Sequence, residues 1–117
     1  MNKYTMPRQS RYFQPEGDEI EPSEIDYKFD EPSYLEELKA YIDQTYNEHY
    51  GDGKIQTTEV IIDRGRGLDF CLGNVDKYSN RYGHKGGPED HRKDLLKIIH
   101  YGLLALYSHD KAQGDDK

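Results

Sequence analysis

Asn74, Lys77 and Arg81 recur at three- and four-residue spacing within LDFCLGNVDKYSNRYGHKGGP (68–88), and Lys85 follows just past a glycine. Wound at about 100° per residue, these three fall on one line of a helix together with Phe70. Cys71, Val75, Tyr78 and Tyr82 fall on another line, roughly a quarter-turn away. The second line reads as a packing face and the first as a polar groove wall carrying two cations. Arginine presents a planar fork that matches phosphate oxygens, and lysine a point charge. The chemistry such a row suits is recognition of a small phosphorylated molecule.

After Pro88, the residues Asp90, Asp94, Lys97 and Tyr101 share a line by the same winding. The loop between the two segments is short, so they should pack antiparallel. Equal rise per residue then sets Arg81 near Asp90, Lys77 near Asp94 and Asn74 near Lys97. Two readings share this arrangement. In one, the row is a set of interhelical ion pairs, which add little at a wet surface. In the other, the row is a phosphate site: Arg81 offers a bidentate fork, Lys77 and Lys85 point charges, and Asp90 or Asp94 holds a Mg²⁺ ion. Acids that orient the cations for an anion would satisfy both. Tyr50 and Tyr101 lie beside the groove or its rim, placed to stack on a base.

Familiar phosphate signatures are absent. GDGK (51–54) resembles the end of a P-loop, but Glu48 stands where the first glycine belongs and Ile55 where Ser or Thr should follow. Gly83, Gly86 and Gly87 read as turn glycines, since no strand precedes them. The histidines show no metal-ligand spacing. The single Cys71 excludes an internal disulfide and a cysteine-based zinc cluster, and its place on the packing face makes it a buried thiol.

Four segments must position these groups. Ser33 followed by Glu36 is a capping-box pattern, and Leu35, Leu38, Ile42 and Thr45 continue at helical spacing until Gly51 and Gly53. IQTTEVIID (55–63) is a strand by its β-branched residues, or a short helix capped by Thr57 and stopped at Gly65; the lack of a partner strand favours the helix. Asp69 caps the central helix and Gly83 stops it, giving about 69–82. Pro88 opens the last helix at its first position, with Glu89 and Asp90 in the first turn, and the pattern runs to about 108. Its apolar residues cover about half the circumference, which implies burial against more than one neighbour, including another subunit. The expected fold is all-α: a small helical bundle built around that antiparallel pair, preceded by an extended acidic N-terminal arm.

The bulk composition fits this plan. At 117 residues the chain holds one domain, with residues 1–31 as a flexible or extended arm, 32–110 as the helical domain and 111–117 as a disordered tail. A mean hydropathy of −1.10 predicts a modest core. The net charge of −7 argues against general binding to nucleic acid or an anionic membrane, while leaving room for a local cationic groove. No apolar run reaches the ~20 residues of a membrane span, and the start lacks the apolar core of a signal peptide.

His49-Tyr50, IQTTEVI, LDFCLGNVDKYSNRYG, HKGG and ED-x-x-KDLLKIIHY resemble the SaV-like phage family (domain of unknown function 3310) from His49 to about Tyr107. The family includes a small phage nucleotide kinase acting on deoxynucleoside monophosphates. The resemblance implies a phage protein of the host cytoplasm, a homo-oligomer, using ATP and Mg²⁺. The positions that match are Gly73, Asn74, Lys77, Tyr78, Arg81, Gly83, Lys85 and Gly86. On this reading Lys77, Arg81 and Asp94 serve catalysis, Asn74, Lys77, Arg81, Lys85, Tyr50 and Tyr101 bind nucleotide, and Asp90 and Asp94 bind metal. Two other classes are a non-catalytic binder that sequesters a nucleotide or nucleotide signal, and a purely structural oligomer.

Overall fold

The computed structural model describes residues 24–114, so expectations for 1–23 and for 115–117 lie outside the described residues. The described chain has four helices and no strand: α1 (Glu31–His49), α2 (Lys54–Asp63), α3 (Gly67–Arg81) and α4 (Pro88–Ala112). The expected all-α architecture and the antiparallel pair are present. Residues 24–31 make their own local contacts, with Lys28 Nζ donating to Asp26 Oδ2 at 2.7 Å and the Phe29 N–H donating to Glu31 Oε1 at 3.2 Å.

Helix starts differ from expectation in a consistent way. α1 begins at Glu31, so Ser33 and Glu36 lie inside it instead of framing its start. α2 begins at Lys54 after Gly53, whose φ of 84° turns the chain sharply, and the Thr57 N–H already bonds the Gly53 carbonyl at 2.9 Å. α3 begins at Gly67, two residues before Asp69. Neither α2 nor α3 has a side-chain cap, so the capping residues sought in the sequence were the wrong signal. α4 runs to Ala112, past the expected end near Ser108.

Segment 55–63 is helical because its burial has a helical period. Ile55 and Thr58 are half-buried and Ile62 is buried, while Gln56, Thr57, Glu59 and Val60 are exposed. That one-sided burial outweighs the β-propensity of its branched residues. The Thr58 hydroxyl donates to the Lys54 carbonyl at 3.1 Å, which satisfies it within the helix.

The α3–α4 hairpin is the frame. Its loop turns at Gly83 (φ 84°), as the sequence suggested, and again at Gly86 (φ 78°). A Cβ on Gly86 would fall 2.2 Å from Asp90 Oδ2, which itself accepts the Gly87 N–H at 3.0 Å and closes the start of α4. The seam is narrow: Cys71, Asp94, Ala105 and Ser108 are the residues buried along it, Cys71 fully. Tyr82, expected in the core, is exposed at 46% because it lies beyond the last turn of α3. α2 packs against α3. α1 is clamped to α4 by a two-pronged Arg92–Glu37 pair and by an edge-on Tyr41–His100 contact at 6.1 Å.

Three helices converge at Gly67. A Cβ there would sit 2.6 Å from Ser108 Oγ on α4 and 2.7 Å from Ile62 Cγ1 on α2. Both neighbours are buried and cannot swing away. Gly67→Ala should therefore destabilise the fold by about 1–3 kcal/mol through overpacking, measured by urea unfolding. An unchanged midpoint would show that α2 does not close on this point.

Candidate functional site

The cationic row exists, but its pairing is shifted by a turn. Arg81 bonds Asp94 and not Asp90: Nη2 donates to Oδ1 at 2.6 Å, and Nε donates to Oδ1 at 3.2 Å and to Oδ2 at 3.4 Å. The reason lies in side-chain direction. Side chains lean toward the N-terminus of their own helix, so across an antiparallel pair they converge. Arg81 reaches back down α3, Asp94 leans up α4, and they meet one turn below Asp90. Asp94 is only 2% exposed, so its charge depends on this partner. The Arg81 guanidinium holds the Asp94 carboxyl below its ordinary range, against the opposing effect of burial, and Asp94 in turn raises Arg81.

The other expected pairs dissolve for the same reason. With Asp94 taken, the Lys77 ammonium lies 4.9 Å from the centroid of the Tyr78 ring. Arg81 and Lys97 lie 4.7 Å and 5.5 Å from the same centroid. Tyr78 stacks on Tyr101 at 6.1 Å and 15°, and Phe70 meets Tyr101 edge-on at 6.2 Å. Tyr78 thus gathers three cations around one π-system. Asn74 does not face Lys97; its Nδ2 donates to the Phe70 carbonyl at 3.0 Å within α3.

Two clefts border this cluster. A smaller one of about 360 Å³ is lined by Arg81, Lys85, Gly86, Asp90, Lys93 and Asp94. A larger one of about 600 Å³ lies among α1, α2 and the hairpin, lined by Tyr41, Tyr46, Tyr78, Tyr101, Tyr107, His49 and His100 among others. Lys93 lines both, so the clefts adjoin. Lys85 and Lys93 have no ion-pair partner within 4 Å among the described residues. Of the two tyrosines expected beside the groove, Tyr101 lines the larger cleft, whereas Tyr50 lines neither and is 74% exposed just after α1. Burial and then Lys97 push the His100 imidazole below its ordinary value, so at neutral pH it adds no charge to the cleft.

A metal does not fit Asp94. Both its oxygens accept from Arg81, and Mg²⁺ needs free carboxylate oxygens in octahedral geometry. Asp90 has one oxygen on the Gly87 N–H, and no group of three or more potential His, Cys, Asp or Glu ligands exists among the described residues. What the clefts offer is positive charge beside stacked rings.

The sequence reading passed over Lys93, Tyr41, Tyr46 and His49. The His49 Nδ1 meets Asp52 Oδ2 at 2.6 Å, and His49 lines the larger cleft. His49 and Asp52 stand three apart across a helix end, a spacing that was visible without the structure.

The Arg81–Asp94 pair has a pH signature. Asp94's folded pKa is lowered, so its stabilising contribution is present above the ordinary carboxyl value of about 3.9 and is lost as pH falls through the folded value. Asp94→Asn should therefore lower stability at neutral pH and flatten the loss of stability below about pH 4, seen by urea unfolding across pH. Equal slopes in both proteins would mean that Asp94 is not held ionised by Arg81.

No helix among the described residues is long and apolar enough to cross a membrane. No curated protein and no solved structure matches the chain. A family model described as protein of unknown function (DUF3310) matches residues 44–102, from the last turns of α1 into α4 and just over half of the chain. The chain therefore belongs to the DUF3310 family.

Proposed function

We propose that this protein binds a nucleoside phosphate, with the phosphate in the Arg81–Lys85–Lys93 cleft and the base among the tyrosines of the larger one. The observation that carries the reading is the sharing of Lys93 between a cationic cleft and an aromatic one. Lys54, Arg81, Lys85, Lys93 and Lys97 line the two clefts against Glu48, Glu59, Asp90 and Asp94, a local excess of one cation in a chain whose net charge is −7. The combined space lies within the roughly 300–1,000 Å³ of small-ligand sites. Arg81 is already held rigid by Asp94, and its remaining donors suit a phosphate oxygen.

Phosphoryl transfer is the finer form of this reading. The SaV-like resemblance implies a phage nucleotide kinase that works on deoxynucleoside monophosphates with ATP and Mg²⁺ in the host cytoplasm, as a homo-oligomer. Lys77, Arg81, Lys85 and Lys93 would then position the phosphates, in a reaction where positioning and charge neutralisation do most of the work. A metal would have to be held largely by the nucleotides themselves. The occupied Asp94 carboxylate favours a second reading, a binder that sequesters a nucleotide without turning it over.

A thermal-shift screen of the full chain with nucleoside mono- and triphosphates tests binding. Ligand at about 100 times its Kd should stabilise by about 2.7 kcal/mol. The Lys85→Ala, Lys93→Ala double variant should unfold like the parent alone but lose most of the shift, because neither lysine has an ion-pair partner among the described residues. No shift with any nucleotide contradicts the reading. Formation of ADP from ATP plus a deoxynucleoside monophosphate separates kinase from binder.

A further inference from the structure

The hairpin has a second side. From the buried seam of Cys71, Asp94, Ala105 and Ser108, winding turns Arg81, Lys93 and Lys97 toward the clefts. Leu68 and Leu72 of α3 and Leu95, Ile99 and Leu106 of α4 turn the opposite way, with Leu103 at their margin. These six are 41%, 46%, 43%, 48%, 59% and 43% exposed, in that order. Together they leave on the order of 500 Å² of apolar surface in water, at the upper end for a monomer's largest patch. With the polar residues around them they approach the roughly 800 Å² that each partner gives to a standard dimer.

Gly102 lies in the middle of this stripe. A Cβ there would meet nothing within 4 Å, so no neighbour inside the chain excludes a side chain. Alanine would favour the helix more. The order Leu95, Ile99, Gly102, Leu106 is spaced four, three, four, which reads alike from either end. An antiparallel second α4 therefore sets Leu95 against the partner's Leu106, and Ile99 into the gap over the partner's Gly102. A parallel copy would set glycine against glycine and leave a void.

We propose that two copies of this chain pair α4 against α4, antiparallel about a two-fold axis, through this face. The nucleotide clefts then lie on the outer sides of the dimer, and the pairing does not depend on what they bind.

Sedimentation velocity of the full chain over a wide concentration range tests the proposal. The expected mass is two chains. Ile99→Asp and Gly102→Leu should each shift the species to single chains, with helical circular dichroism retained. Gly102→Ala discriminates further: it should weaken pairing by roughly tenfold, since the partner's Ile99 loses its gap. A single-chain mass for the parent overturns the proposal. So does an assembly that survives both Ile99→Asp and Gly102→Leu, which would place the contact elsewhere, residues 1–23 included. A Gly102→Ala protein that gains thermal stability without losing mass would make the glycine a weak point of the helix and nothing more, and overturns the proposed register.

Discussion

A carboxylate that is 2% exposed must be neutralised by a partner or by a proton, and Asp94 is neutralised by Arg81. That requirement fixes how α3 and α4 slide against each other. With Arg81 anchored at Asp94, Lys93 lies one residue before the anchor and Lys85 in the loop above it, and both line the same cleft. Below the anchor, Tyr78 and Tyr101 meet face to face and extend the seam as aromatic surface. A hairpin slipped by one turn would bury Asp94 without a partner and scatter the cations. The pair is thus a structural clamp and an organiser of the charged cleft at once, which reconciles the ion-pair and anion-site readings of the same row.

The local signals in the sequence were sufficient for the hairpin and insufficient for its register. Pro88, Glu89 and Gly83 mark helix ends through backbone chemistry that needs no tertiary context, and they stand where expected. The register failed because equal rise describes the helix axes, whereas a long arginine leaning along its helix adds a turn of reach. The starts of α2 and α3 failed because a glycine turn and tertiary packing set them, not a Thr or Asp cap. Tyr50 was favoured over Tyr41 and Tyr46 because only the docking of α1 on α4, through Glu37–Arg92 and Tyr41–His100, reveals which α1 faces border the cleft. That long-range contact has no sequence period to announce it.

The charge distribution accommodates the proposed anion site in a strongly acidic chain. Remote carboxylates are screened beyond about 10 Å at ordinary ionic strength, while the clustered lysines act at contact distance on a ligand in the cleft. The surrounding acidity still disfavours long polyanions that would overrun the patch, which is why the proposed ligand is a small phosphorylated molecule and not nucleic acid. α4 serves three environments at once: the seam with α3, the cleft with α1 and α2, and a bare apolar side. Its helical period divides these among different residues, so a change on one side leaves the others intact.

The most direct test of the central clamp is a double-mutant cycle of Arg81→Ala and Asp94→Ala, read by urea unfolding at neutral pH. Strongly non-additive losses, with the double variant little worse than either single one, are predicted, because each single change strands a charge that needs the other. Additive losses would show that the two side chains act independently, and the register and both clefts would then need another cause.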